Sequence, residues 1–257
     1  MSERKVFGLI GYPLSHSFSK KYFTDKFSGD KRYKNYRYEN FEISSISELP
    51  GLIQAHADLI GLNVTIPYKE TVIPYLSELN TIADECGAVN TILIKREPTG
   101  AIHTTGFNTD VSGFIASIKP LLKGHHTGAV VLGSGGASKA VCYAFKQLKM
   151  PYFVISRNKN GDVLSYNDLT PELIKQYPVI INTTPLGTFP DTQSFPPIPY
   201  QFIDEKNLLF DMVYNPAETQ FLLKGQEQGA DTVNGYDMLT RQAEEAFKIW
   251  EDVKSRG

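Results

Sequence analysis

The chain has 257 residues, enough for one or two domains at roughly 150 residues each. Its 41% hydrophobic, 21% charged and 12% aromatic residues exclude a disordered or coiled-coil chain, and 20 glycines with 15 prolines exclude a collagen-like or low-complexity one. A net charge of −2, from 26 basic and 28 acidic side chains, leaves no electrostatic footprint for nucleic acid or an anionic membrane.

Two cysteines, Cys86 and Cys142, make neither a disulfide framework nor a zinc spacing, and the five histidines show no metal-ligand pattern. The N-terminus turns from charged residues into the short run Val6-Phe7-Gly8-Leu9-Ile10, without a long apolar signal segment. No stretch approaches the ~18 apolar residues of a bilayer span. The expectation is a cytoplasmic protein of a reducing compartment, with no membrane or nucleic-acid partner.

Strand and helix signals alternate. Val6 to Ile10 reads as a buried strand stopped by Gly11-Tyr12-Pro13. Ser15 or Ser17 can cap a helix running through Lys20-Lys21-Tyr22-Phe23 towards Phe27. Asn35 to Phe41 alternates aromatic and polar residues as a strand does, Ser45 to Ala57 has helical spacing, and Leu59 to Val64 is a third strand. The series restarts after Gly106. A helix capped by Asn108 or Thr109 runs from Asp110 to about Leu122. Ala129-Val130-Val131-Leu132 leads through a glycine turn into a helix reaching Met150. Tyr152 to Ile155, Val179 to Ile181 and Leu208 to Phe210 are further strands, and Phe189 to Pro199 is a loop. Gly235 to Trp250 forms a last amphipathic helix. This is an α/β pattern, and the second series has the length of one nucleotide-binding βαβ unit.

Gly133-Ser134-Gly135-Gly136-Ala137 follows an apolar strand and opens a helix. The first glycine permits the tight turn, the second lets backbone N–H groups approach a pyrophosphate, and the helix N-terminus faces that anion. Ser138 holds the third fingerprint position and is still small. About 20 residues on, where NAD-selective folds place an acid, stand Ser156-Arg157-Asn158-Lys159. Two cations and no acid suit a 2′-phosphate, although a solvated basic turn has the same composition.

Asn63-Val64-Thr65-Ile66-Pro67-Tyr68-Lys69 leaves a strand at its carboxyl end, the edge where open α/β sheets bind ligands. A lysine there can act as a general acid or base, or simply begin a helix. Asp110 is a carboxylate at a helix start, equally suited to capping. Ser15-His16-Ser17-Phe18-Ser19 is a hydroxyl cluster suited to a carboxylate, a polyol or a cap. It lacks the Gly-x-Ser-x-Gly context of a hydrolase nucleophile.

Taken in order, these motifs resemble the shikimate/quinate dehydrogenase family over nearly the whole chain. The landmarks are Gly11-x-Pro13-x-x-His16-Ser17-x-Ser19, Asn63-Val64-Thr65-x-Pro67-x-Lys69, Gly87-Ala88-Val89-Asn90-Thr91 and Gly106-x-Asn108-Thr109-Asp110 with Gly113. They continue with the Gly133 loop, Asn182-Thr183-Thr184-Pro185-Leu186-Gly187, Asp211-Met212-Val213-Tyr214 and Gly235-x-x-Met238-Leu239-x-x-Gln242-Ala243. The resemblance implies reversible NADPH-dependent reduction of 3-dehydroshikimate to shikimate, a step towards chorismate and the aromatic amino acids. It implies Lys69 and Asp110 as the catalytic pair, and Ser17, Ser19, Thr65, Asn90, Tyr214 and Gln242 around the substrate. Gly133, Gly135, Gly136 and Ala137 match the pyrophosphate loop, with Ser134 inside it. Arg157 matches the arginine beside the adenosine 2′-phosphate, with Ser156 and Lys159 in the same turn as further cofactor-binding candidates, and Thr184, Met212, Gly235 and Met238 fall near the nicotinamide.

The implied architecture is a two-domain α/β fold with a cleft between the domains. Residues 1–104 form a substrate domain, completed by the C-terminal helix 236–257, and residues 105–235 form a Rossmann-like NADP-binding domain. Lys20 departs from the family pattern, where proline is usual, and so do the residues around Tyr22-Phe23, Ser134, and the Ser156 and Asn158 flanks of Arg157. A dual quinate/shikimate enzyme and a catalytically silent ligand-binding relative remain rivals. The oligomeric state, monomer or homodimer, is not legible.

Overall fold

Short apolar runs punctuated by glycine and proline build two sheets. The structure is a computed structural model and describes residues 4–14, 18–157 and 161–252. The chain divides into two compact units, Met1–Thr109 with Ala243–Gly257, and Asp110–Gln242.

In the first unit the elements are β1 (Lys5–Gly11), α1 (Phe18–Ser28), β2 (Tyr36–Glu42), α2 (Leu49–Ala55), β3 (Leu59–Val64), β4 (Glu78–Leu79), α3 (Thr81–Cys86), β5 (Thr91–Arg96) and β6 (Ile102–Phe107). Among the described residues they form a six-stranded sheet in the order β2-β1-β3-β5-β6-β4. β1 runs parallel to β2 and β3, whereas β5 is antiparallel to both β3 and β6. Alternate residues of β1 serve opposite faces, as the period of a strand requires. Val6 and Ile10 join Leu49 and Ile53 of α2, and Phe7 and Leu9 join Phe23 and Phe27 of α1. Ala243, Ala246, Phe247 and Trp250 of the last helix complete that second face. The Trp250 ring stacks on Phe7 at 5.0 Å between centroids, and its indole N–H donates to the Ile92 carbonyl at 3.0 Å. Only a glycine fits beneath it, since a Cβ at Gly61 would run into the indole.

The second unit holds α4 (Thr109–Ile118, all but its first residue), β7 (Ala129–Leu132), α5 (Gly136–Gln147), β8 (Tyr152–Ser156), β9 (Leu164–Ser165), α6 (Pro171–Gln176), β10 (Val179–Asn182), β11 (Leu208–Asp211), α7 (Gln220–Glu227) and β12 (Asp231–Val233). It ends in the first half of α8 (Tyr236–Glu251). Its described strands form a parallel sheet ordered β12-β11-β10-β7-β8-β9. From β7 the chain goes to β8 on one side and later to β10 on the other. The strand order therefore reverses at β7/β10, the switch point beyond whose carboxyl ends such sheets bind nucleotides.

The helical spacing over Ser45–Ala57 resolves into a 3-10 turn, Ile46–Glu48, followed by α2. A capping box between Ser45 and Glu48 fixes the turn, and Pro50 stands at the start of α2. The helix expected to reach Leu122 stops at Ile118 and tightens into a 3-10 turn containing Pro120. α3, α6, α7, β4, β9, β12 and the β5–β6 hairpin went unread in the sequence.

Candidate active site

In the first unit the site residues rest on a continuous buried hydrogen-bond network. Ser19, only 9% exposed on the first turn of α1, bonds to the Tyr38 hydroxyl. Tyr38 is buried among aromatic rings, and burial pushes its phenol well above the ordinary value. Its hydroxyl donates to Asn63 Oδ1 at 2.7 Å, and Asn63 Nδ2 faces the Asn90 carbonyl at 3.4 Å and Thr91 Oγ1 at 3.3 Å. A carbonyl only accepts, so Nδ2 must be the atom that faces it, and Tyr38 must therefore be the donor to Oδ1.

Asn90 carries the network to α4. Its Oδ1 accepts the Thr109 N–H at 2.7 Å, and its Nδ2 donates to Thr109 Oγ1 at 3.0 Å. The first turn of a helix has orphan N–H groups, and Asn90 satisfies one of them from outside the helix. It thereby fixes the backbone one residue before Asp110. Asp110 itself is 6% exposed.

Lys69 is half-buried, and its backbone is held from two sides. The Val89 N–H donates to the Lys69 carbonyl at 2.7 Å. Its neighbour Tyr68 sits in the core, with its hydroxyl donating to the Ile43 carbonyl at 2.6 Å. The half-buried Thr65 begins this turn, its N–H bonded to the Ile10 carbonyl and its methyl group filling the space a side chain at Gly11 would need.

In the second unit the glycine turn joins β7 to α5 as the sequence implies. Gly133 has φ +110, a region closed to other residues in practice, and a Cβ there would lie 2.6 Å from Thr183 Oγ1. Gly135 is the N-cap of α5, with no side chain capping the helix. A Cβ at Gly135 would meet nothing within 4 Å, so the space before these backbone donors is open. Uncapped N–H groups facing open space fit a dinucleotide's phosphates, and Gly136 and Ala137 stand in this first turn. Ser134 Oγ lies 3.3 Å from Ser156 Oγ, which brings the loop against the end of β8 and the exposed Arg157.

Of the residues expected near the nicotinamide, Met212 and Gly235 are in contact. Gly235 backs onto the Met212 carbonyl so closely that a Cβ would collide with it. Met238, 4% exposed, and Gln242, 6% exposed, lie on α8, which crosses α4 at Gly113. There a Cβ would meet the Met238 carbonyl at 2.9 Å and Gln242 at 3.1 Å. Gln242 Nε2 donates to the Leu239 carbonyl at 2.9 Å. Thr184 is half-buried, and its hydroxyl is turned inward to Asn182 Oδ1 at 2.6 Å. Tyr214 is half-buried, three residues beyond the end of β11. Ser17 and Lys159 lie outside the described residues.

Sequence reasoning missed Tyr38, Asn63, Asn182, Asp211 and Thr219 as shaping residues. The available signal was a polar side chain at or near the end of an otherwise apolar strand, as in Val179-Ile180-Ile181-Asn182 and Leu208-Leu209-Phe210-Asp211. Among the described residues no helix is long and apolar enough to cross a membrane.

Residues 9–92 match the model of the shikimate dehydrogenase substrate binding domain. A curated shikimate dehydrogenase (NADP(+)) from Methanosphaera stadtmanae is 33% identical over 262 residues, covering 95% of this chain and 90% of the relative. The crystal structure of shikimate dehydrogenase 1 from Peptoclostridium difficile superposes with a TM-score of 0.81 at 34% identity, covering 96% of this chain and 92% of that one. Shikimate dehydrogenase from Thermus thermophilus, solved in complex with NADP(H) and shikimate, gives a TM-score of 0.79 at 28% identity, covering 96% and 93%.

Proposed function

The chain belongs to the shikimate dehydrogenase family, and from that premise we propose that it interconverts 3-dehydroshikimate and shikimate with NADP. The observation that carries this reading is the presence in one chain of a substrate-domain match over residues 9–92 and of a separate unit whose glycine turn opens α5. NADPH, when bound, supplies the hydride that the ketone carbon receives.

The chain's own residues do the rest. The Lys69 ammonium polarises the ketone oxygen and gives it a proton, which is restored from solvent. The Asp110 carboxylate accepts a hydrogen bond from a neighbouring ring hydroxyl. Ser17 and Ser19 receive the substrate carboxylate through charge-assisted hydrogen bonds. Thr65, Asn90, Tyr214 and Gln242 complete the substrate's surroundings. The first turn of α5 takes the pyrophosphate, Ser156, Arg157 and Lys159 take the 2′-phosphate, and Thr184, Met212, Gly235 and Met238 border the nicotinamide.

The test is to follow NADPH absorbance with 3-dehydroshikimate, and NADP reduction with shikimate and with quinate. Turnover of the shikimate couple with little quinate oxidation is the expected result. Comparable quinate oxidation would move the assignment to a dual enzyme, and no turnover with intact ligand binding would leave a silent relative. In solution the protein is a monomer or a homodimer, which light scattering separates.

A further inference from the structure

β10 and β11 lie side by side in register, so that Asn182 and Asp211, the last residue of each, are neighbours. Both are fully buried. Asp211 Oδ1 accepts the Val213 N–H and Asn182 Nδ2, each at 2.9 Å, and its Oδ2 accepts the Thr219 hydroxyl at 2.5 Å. Thr219 in turn caps α7. One carboxylate thus ties together the turns after β10 and β11 and the start of a helix.

We propose that Asp211 is a positioning residue for the coenzyme: acting through Asn182 and the Val213 amide, its carboxylate sets the shape of the two turns that form the nicotinamide end of the site. The proposal rests on the NADP reading above. Its first support is that the Asn182 amide can point only one way. Oδ1 accepts both the Thr184 N–H at 3.0 Å and the Thr184 hydroxyl at 2.6 Å, so Nδ2 is left to Asp211 and, at 3.4 Å, the Leu186 carbonyl. The 182–187 turn is wrapped around this amide, and the carboxylate holds the amide in place.

Its second support is location. Both turns leave the carboxyl edge of the sheet beside the switch point, where a dinucleotide lies across the strand ends. The Thr183 hydroxyl donates to the Leu132 carbonyl at 2.6 Å, pinning the first turn to the residue before Gly133. Met212, in the second turn, presses on Gly235.

Its third support is that the charge works against stability. Burial pushes the Asp211 carboxyl up to about 6, against three donated hydrogen bonds that pull it down. The titratable group facing it from the Tyr200–Phe202 turn is the Tyr200 phenol, which burial and the Asp211 charge raise. An asparagine of the same shape keeps one oxygen for Val213 and Asn182 without burying a charge, and the Thr219 hydroxyl can turn to accept from its Nδ2. A buried carboxylate is weak evidence of a purely stabilising role, and its presence here fits a role in the site.

The experiment is calorimetric titration of the purified protein, Asp211→Asn and Asp211→Ala with NADP+ at pH 8 and pH 5, with thermal unfolding at both. A bond to a charged acceptor exceeds a neutral one by enough to weaken NADP+ binding about tenfold in Asp211→Asn at pH 8. Its unfolding midpoint at pH 8 should equal or exceed that of the wild type, and the KM for shikimate should be unchanged. At pH 5 the wild-type carboxyl is protonated and the affinity gap between the two proteins should close. Their ratio cancels ionisation of the coenzyme's own phosphate. Asp211→Ala should bind weakly at both pH values. The proposal is overturned if Asp211→Asn binds NADP+ like the wild type at pH 8, or if its affinity and midpoint fall together and both remain below those of the wild type at pH 5. Failure of the wild type to bind NADP+ would overturn the coenzyme reading itself.

Discussion

Replacing Asn90 by alanine separates two roles that the same side chain could play. If Asn90 acts mainly as a tether, its loss strands the Thr109 N–H, which it accepts at 2.7 Å, and deprives the Thr109 hydroxyl of a donor at 3.0 Å. Both groups are buried, Asn90 being 3% and Thr109 3% exposed, so water does not replace the amide freely. A typical hydrogen bond contributes about 1 kcal/mol net, and an abandoned buried donor costs about 1–3 kcal/mol. The expected loss is about 2–4 kcal/mol. At roughly 3 °C per kcal/mol for a chain of this size, the unfolding midpoint falls by about 6–12 °C. Asp110 follows Thr109 directly, so kcat should fall on the order of 10²-fold, the usual consequence of a catalytic group displaced by about 1 Å. Asn90→Asp keeps an oxygen for the Thr109 N–H, and the Thr109 hydroxyl can turn to donate to the second oxygen, so most of the stability should return. Circular dichroism melts and steady-state NADPH assays on both variants are sufficient. A midpoint within about 2 °C of wild type in Asn90→Ala, with a raised substrate KM and normal kcat, would refute the tether and make Asn90 a direct substrate contact.

Three further outcomes are expected. Lys69→Ala should lower kcat by about 10²–10⁴, the range for losing a positioned acid, with a much smaller change in substrate affinity; near-normal turnover in single-turnover assays would remove Lys69 from the reaction. Arg157→Ala should reduce kcat/KM for NADP while leaving the NAD value almost unchanged, because NAD lacks the 2′-phosphate proposed above as the partner of the exposed Arg157; a parallel loss with both coenzymes would assign Arg157 a structural role. Alanine at both Ser17 and Ser19 should raise the substrate KM through the loss of roughly 1.5–3 kcal/mol per charge-assisted bond, with NADP affinity intact. If instead that double variant binds substrate normally and melts early, the serines serve the helix and the Tyr38 network alone.

What was legible in the sequence follows from how each element is specified. β3 and β7 are bounded as expected because a buried strand is a run of aliphatic residues cut off by polar, glycine or proline residues. The Gly133 turn was legible because its chemistry is local: a positive φ, an absent side chain and a helix start all lie within five residues. Elements of the 78–107 region were not. β5 and β6 are a hairpin around Glu97-Pro98-Thr99-Gly100, where Gly100 has φ +88, and the Pro-x-Gly turn was the clue available. Lys20 interrupts the family pattern without disturbing α1, since it sits inside the helix and pairs with Glu39 at 2.9 Å, an exposed contact of little energetic weight.

The shaping residues escaped for a different reason. Tyr38 on β2 reaches Asn63 on β3 across β1, the register placing Tyr38 beside Phe7 and Asn63 beside Leu9. Two strand spacings of about 4.8 Å must be crossed, which a tyrosine can do and a shorter side chain cannot. Nothing in the spacing from 38 to 63 announces this, because the strand between them comes first in the chain. Asn182 and Asp211 likewise meet only through the pairing of β10 with β11. In each unit the aliphatic part of the strand fixes where the strand lies, and the buried polar residue near its carboxyl end fixes the turn that follows. Such groups are costly to bury unless every donor and acceptor is matched, and once matched they permit few alternative turn shapes. The site is therefore specified at two levels. Local motifs supply the groups proposed to meet ligands, and cross-strand amides and a carboxylate, visible only once register is known, hold those motifs in shape.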